Sequence, residues 1–73
     1  MKGIIQFSIM REGKFYTAEA VSFPIVTQGE TFEELERNIK EAVEVYLHDE
    51  NLDDLGLTTR PSVLMNFEIP VHA

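Results

Sequence analysis

The stretch that decides the fold is Thr27-Gln28-Gly29-Glu30-Thr31-Phe32-Glu33-Glu34-Leu35, continuing through Glu36-Arg37-Asn38-Ile39-Lys40-Glu41-Ala42-Val43 to Glu44-Val45-Tyr46-Leu47-His48. Phe32, Leu35, Ile39, Ala42, Val43, Tyr46 and Leu47 recur at spacings of three and four. Wound at the helical period they form one apolar stripe, so a helix is expected from the Thr31 cap to about His48. Thr31 with Glu34 fits a capping box, each side chain satisfying a backbone N–H the first turn leaves unpaired. Glu33 and Glu34 add negative charge at the positive end of the helix dipole. Glu30 before the cap rules out a hydrophobic staple with Leu35. Gly29 is expected to supply a positive φ for the turn from strand to cap. Pairs of Glu33 with Arg37 and Glu36 with Lys40 fall in the favourable i,i+4 order on the solvent face.

Working outward, Ile5, Phe7 and Ile9 alternate with Gln6 and Ser8, the mark of a half-buried strand. Arg11-Glu12-Gly13-Lys14 reads as a hairpin connection. The second strand, Phe15 to Val21, sets Tyr16, Ala18 and Ala20 on one side. That low-profile side is the expected seat of the helix. Phe23-Pro24 ends the strand, and Ile25 to Gln28 is a short third one. Beyond the helix, His48 to Gly56 is acidic and turn-rich, with Leu52 and Leu55 as anchors, room for one extra helical turn, and Gly56 as a stop signal. Thr58-Thr59-Arg60-Pro61 then leads to a strand in which Val63, Met65, Phe67 and Ile69 alternate with Leu64, Asn66 and Glu68, closed by Pro70.

These elements define a single domain over residues 1–73, of the α+β class: a two-layer β-β-β-α-β arrangement with one helix over one face. A three-stranded antiparallel meander, followed by a right-handed helical crossover, sets the fourth strand parallel to the first, in the order 3-2-1-4. The third and fourth strands are then edges. Val63, Met65 and Phe67 on the fourth offer a surface for pairing with another copy, or else serve simply as core.

Taken together, Tyr16-Thr17-Ala18-Glu19-Ala20, Phe23-Pro24, Thr27 to Thr31, Glu33-Glu34-Leu35, Asn38 to Ala42 and Tyr46-Leu47 resemble the HicB-like antitoxin family over roughly residues 4 to 47. The chain departs from that family's pattern at Pro24-Ile25-Val26, one residue shorter than the usual turn, and at Glu36, where an aliphatic residue is common. The resemblance implies a truncated RNase-H-like fold. It also implies a protein that neutralises a small basic HicA-type, RNA-cleaving toxin by covering its active surface. Family members usually add a C-terminal DNA-binding segment; this sequence ends at Ala73, after the last strand, so direct operator binding is not expected.

The chain holds no cysteine, so neither disulfides nor a thiolate metal site supplement its small core. Self-association as a homodimer or higher homo-oligomer is the expected supplement. No apolar run reaches the ~20 residues of a membrane helix, and no signal peptide precedes the first strand, so a cytoplasmic protein is expected. Formal net charge is −7. Ten acids against Arg37 and Lys40 give −8 between residues 28 and 55, +1 precedes them, and residues 56 to 73 sum to zero. Direct nucleic-acid binding needs the opposite sign. An acidic helix suits a basic protein partner, with Glu33, Glu41, Glu44, Val45 and Asp49 as candidate contacts, or else is a solvated face that keeps a small domain in solution.

Catalysis is not expected. Asp49, Glu50, Asp53 and Asp54 lack the ligand order of a calcium loop. His48, at a helix C-terminus, reads as a dipole-compensating surface residue, and His72 lies far from it. True RNase-H-like nucleases hold two metal ions with carboxylates from the first strand, the helix and the fourth strand. Here the first strand offers only Gln6 and Ser8 as interior polar residues. Ser8, Ser22 and Ser62 have no histidine to serve as base. No cofactor is expected. Asn38 is expected to hydrogen-bond a neighbouring loop, and Val45 lies off the buried stripe. The resulting expectation is a non-catalytic protein-binding domain of the antitoxin kind; the alternative is a stand-alone homo-oligomeric structural or regulatory module.

Overall fold

In a computed structural model, residues 2–48, 57–69 and 71 are described, with side chains for 3–48, 61–69 and 71. The chain forms β1 (Lys2–Glu12), β2 (Phe15–Ala20), β3 (Val26–Gly29), α1 (Phe32–His48) and β4 (Leu57–Phe67). They make one four-stranded sheet in the order β3-β2-β1-β4 with one helix, the α+β arrangement expected from the sequence. β1–β2 and β2–β3 are antiparallel, and β4 runs parallel to β1.

Alternation along β1 decides which face is buried. Ile5, Phe7 and Ile9 are buried, while Ile4, Gln6, Ser8 and Met10 are exposed. Gln6 and Ser8, expected as interior residues, therefore lie on the open face, because a strand's successive side chains point to opposite sides and the apolar set takes the core. In β2, Ala18 and Ala20 are buried. In α1, Leu35, Ile39 and Val43, each one turn from the last, are buried against them, with Ala42, Tyr46 and Leu47 half-buried beside that row. Phe7, Ile5, Leu35 and Ile39 are the largest fully buried side chains. At about 1.5–3 kcal/mol for each such burial they are the main apolar contribution to stability.

Aromatic rings close both ends of this core. At the start of the helix, Phe32 stacks on Tyr16 with ring centroids 4.4 Å apart, and Phe67 meets both rings edge-on at 5.4 and 5.7 Å. The guanidinium of Arg11 lies 5.4 Å above the Tyr16 ring. At the far end, Phe23 meets Tyr46 edge-on at 6.0 Å. α1 thus runs antiparallel to β1, from the Tyr16 end of the sheet to the Phe23 end.

Several boundaries differ from the sequence reading. β1 continues through Arg11 and Glu12, which pair with Tyr16 and Phe15, so the hairpin loop is only Gly13-Lys14. Gly13 has φ of 60° and is the one residue with positive φ among those described; a positive then negative φ is the sign pattern of a type II′ turn, with Gly at its first position. Gly29 does not have positive φ. Its reason for being glycine is the space above it: a Cβ there would stand 2.6 Å from the Leu35 amide nitrogen and 2.9 Å from the Leu35 Cα. The helix start is laid directly on the end of β3, closer than any side chain permits. β3 begins at Val26, one residue later than expected, because the Ile25 carbonyl accepts from the Ala20 N–H (2.9 Å) while its own N–H turns back to the Phe23 carbonyl (2.8 Å). β4 starts at Leu57 and includes Pro61, and its register against β1 is irregular between Lys2 and Ile4. A proline lacks the N–H for a ladder bond and is tolerated in an edge strand or at such an irregularity.

The cap holds as one half of the expected box. The Glu34 N–H donates to Thr31 Oγ1 at 3.0 Å, and Leu35 N–H donates to the Thr31 carbonyl at 2.9 Å; no Glu34 side-chain bond back to the Thr31 N–H forms. Of the two expected ion pairs, Glu36–Lys40 is present (3.4 Å), and it is the only one among the described residues. Both partners are well exposed, so it adds little.

Candidate partner-binding surface

The structure places the sequence-predicted contact residues in three groups. Glu33, Glu41, Glu44 and Val45 are all exposed on α1, but at 100° per residue they do not share one line. Glu33 and Glu44 stand on the ridge furthest from the sheet, separated by roughly 16 Å of helix rise. Arg37 and Lys40 lie along the helix between them, so the ridge alternates in sign rather than being uniformly acidic. Asp49 lies outside the described residues, as do Glu50, Asp53 and Asp54. Four of the ten acids between residues 28 and 55 are therefore in a segment on which the structure makes no statement.

Glu41 and Val45, one helical turn apart, come together on the flank facing β3. With Asn38, Ala42 and Tyr46 they form one wall of an open groove whose other wall is Pro24 to Thr27. Val45 is 67% exposed and Val26 64%, so the groove presents apolar side chains to solvent, with the Glu41 carboxylate at its rim. The sequence showed Val45 to be off the buried stripe; that it meets residues nineteen positions earlier is a tertiary fact that periodicity does not carry.

Asn38 ties this groove together. Its Nδ2 donates to the Gln28 carbonyl at 2.7 Å, a bond to the edge strand itself rather than to a loop. Because Gln28 O turns toward Asn38, it points away from β2, and the bond occupies one of the few outward-facing backbone groups on this four-residue strand. Covering an edge acceptor in this way blunts the edge against further strand pairing.

The predicted oligomer edge is placed differently. Val63, Met65 and Phe67 lie beside Ile5, Phe7 and Ile9, share their face and pack against the core, yet each remains only half-buried. The reason is the position of α1, which packs mainly over β3 and β2 and leaves the β1–β4 side of the same face less covered. Val63, Met65 and Phe67 are thus part of the core on their inner side and open on the outer side. Among the described residues no other strand pairs with β4 beyond β1.

No cluster of three or more His, Asp or Glu side chains suited to a metal ion occurs among the described residues. The acidic run 49–54, weighed above as a cation loop, is outside them. Among the described residues, no helix is long and apolar enough to cross a membrane.

Comparison with known proteins adds one relative. The chain is 49% identical over 45 residues to a UPF0150 protein of Helicobacter pylori strain J99. The alignment covers 60% of this chain and 62% of that protein, so a little under two thirds of the relative's length is represented here. No family model matches the sequence, and no solved structure matches it.

Proposed function

We propose that this domain acts by binding and not by chemistry, as a HicB-like antitoxin component that captures a small basic HicA-type, RNA-cleaving protein in the cytoplasm. The observation that carries the reading is the groove between α1 and β3. It joins exposed apolar side chains, Val26 and Val45, to the Glu41 carboxylate on a helix whose described residues hold five acids against two bases. A basic partner gains there in two ways. Its approach is steered by opposite charge, and once docked it buries apolar surface that is otherwise wet. The resemblance of residues 4 to 47 to the antitoxin family supplies the identity of that partner.

The test is copurification with the HicA-type protein encoded beside this chain, followed by titration calorimetry and an RNA-cleavage assay. A one-to-one complex that stops cleavage is expected, weakening as salt rises from 50 to about 500 mM through screening of the charge attraction. Glu41→Lys with Val45→Ser reverses the charge at the groove's rim and replaces exposed apolar surface by a polar group, and is expected to weaken binding by at least about tenfold. A wild-type domain that neither binds nor blocks cleavage would remove the reading.

A further inference from the structure

We infer that the partner docks in the groove between α1 and β3 through an extended segment, added as a short strand along β3 and carrying a basic side chain two residues from an aliphatic one. The inference rests on the binding reading above and concerns how the partner is held.

The pairing of β3 fixes which of its backbone groups face outward. In an antiparallel ladder, pairs that exchange both hydrogen bonds alternate with pairs that exchange none. The Ala20 N–H donates to the Ile25 carbonyl at 2.9 Å. In the same register Ala18 with Thr27 and Tyr16 with Gly29 are the bonded pairs, and Glu19 with Val26 and Thr17 with Gln28 are the open ones. Val26 and Gln28 therefore aim their N–H and C=O groups away from β2. The Gln28 carbonyl accepts from Asn38 Nδ2 at 2.7 Å. Val26 N–H, Val26 C=O and Gln28 N–H meet no partner among the described residues. The chain leaves α1 at His48 and is next described at Leu57, which pairs with Lys2 at the opposite edge of the sheet.

Outward groups of this kind are what an added strand pairs with. Asn38 stands where the next donor of such a strand would come, so addition is confined to the Val26 end and the segment is short. A partner helix in the same groove has its own backbone groups already paired, and would bury these three without satisfying them.

The α1 wall dictates what the segment carries. α1 runs antiparallel to β3. Counted from the Asn38–Gln28 bond, the helix rises about 6 Å to Ala42 and the strand advances about 6.6 Å to Val26. Val26 is thus level with Ala42, between Glu41 and Val45 along the axis. Glu41 and Val45 are themselves about 6 Å apart along the helix, which matches the ~6.6 Å between side chains two apart on one face of a strand. One such side chain meets the exposed Glu41 carboxylate and the next meets the exposed Val45. The first gains by being Lys or Arg, through opposite charge, and the second by being aliphatic, through burial.

The test uses the complex with the basic protein encoded beside this chain. Amide hydrogen exchange followed by NMR is expected to slow at Val26 and Gln28 by at least about tenfold on binding, while Thr27, whose N–H already bonds β2, changes little. Val26→Pro removes the outward N–H and should fold, because the first residue of an edge strand tolerates proline; circular dichroism verifies this. Val26→Ala keeps the N–H. The proline variant is expected to bind at least about tenfold more weakly than the alanine variant. The exchange measurement is made on the wild-type chain and holds whether or not the proline variant folds. A complex in which Val26 and Gln28 exchange as fast as in the free domain, or in which folded proline and alanine variants bind alike, would overturn strand addition and leave the binding reading standing. Absence of any complex would remove both.

Discussion

Gly29 and Gly13 allow a substitution experiment in which the same two replacements must rank in opposite order. At Gly29 the obstacle is space. A Cβ would lie 2.6 Å from Leu35 N, 2.9 Å from Leu35 Cα and 3.1 Å from Glu34 C, all backbone atoms of the first helical turn. None of these can swing aside as a side-chain tip can, so the helix start must lift from β3. Forced overpacking of this kind costs about 1–3 kcal/mol. A domain of this size holds only about 3–5 kcal/mol in total, and about 1 kcal/mol corresponds to 4–8 °C in melting temperature. Gly29→Ala is therefore expected to lower the midpoint by roughly 5–20 °C, and Gly29→Asn, with more atoms in the same space, by at least as much. At Gly13 there is nothing within 4 Å, but φ is 60°. Here the cost is conformational, about 1–2 kcal/mol for alanine, and asparagine, which tolerates this region, costs less. The assay is urea and thermal unfolding of the four variants followed by far-UV circular dichroism. Alanine should be the better replacement at residue 29 and the worse one at residue 13. A Gly29→Ala protein as stable as wild type, or asparagine outranking alanine at residue 29, would refute the close-approach account.

Two further outcomes follow from single bonds. Thr31→Ala removes the acceptor of the 3.0 Å bond from the Glu34 N–H and should cost about 1 kcal/mol in urea unfolding; Thr31→Ser should retain most of that, and Glu34→Gln should change little, since the return half of the cap is not formed. Asn38→Ala deletes the 2.7 Å bond to Gln28 O and should cost about 1 kcal/mol. Asn38→Asp should be worse than alanine at neutral pH, where a carboxylate faces a carbonyl. It should recover below about pH 4, where the protonated acid regains a donor; equal stability of the two variants at every pH would contradict the bond.

The strand order and the helix were legible in the sequence because both rest on periodicity: Ile5, Phe7 and Ile9 repeat at two, Leu35, Ile39 and Val43 at four. Strand ends were not. Arg11 and Glu12 look like loop residues, but a ladder is made by backbone groups, and nothing in their side chains forbids pairing with Tyr16 and Phe15. Pro61 looked like a boundary and is inside β4, which an edge strand permits. Gly29 was placed correctly at the strand-to-helix corner for a different reason, because a glycine that admits a positive φ and one that admits a neighbouring backbone look the same in sequence. Of the candidate contacts, exposure was readable from helical phase for Glu33, Glu41, Glu44 and Val45. Which of them stand together was not, since the groove depends on Pro24 to Thr27 crossing beside Asn38 and Val45.

The parallel pairing of β1 with β4 has a consequence for biosynthesis. β1 lies inside the sheet, yet it leaves the ribosome before the other four elements, and β4, the strand that seals its second side, emerges after the rest. Until then the hairpin and helix can assemble on one flank while Ile5, Phe7 and Ile9 have an unzipped border, and non-local parallel closure is intrinsically slow. The nascent protein is thus most vulnerable to wrong partners in the interval between helix formation and arrival of residue 67, and slowing translation after His48 should lengthen that interval.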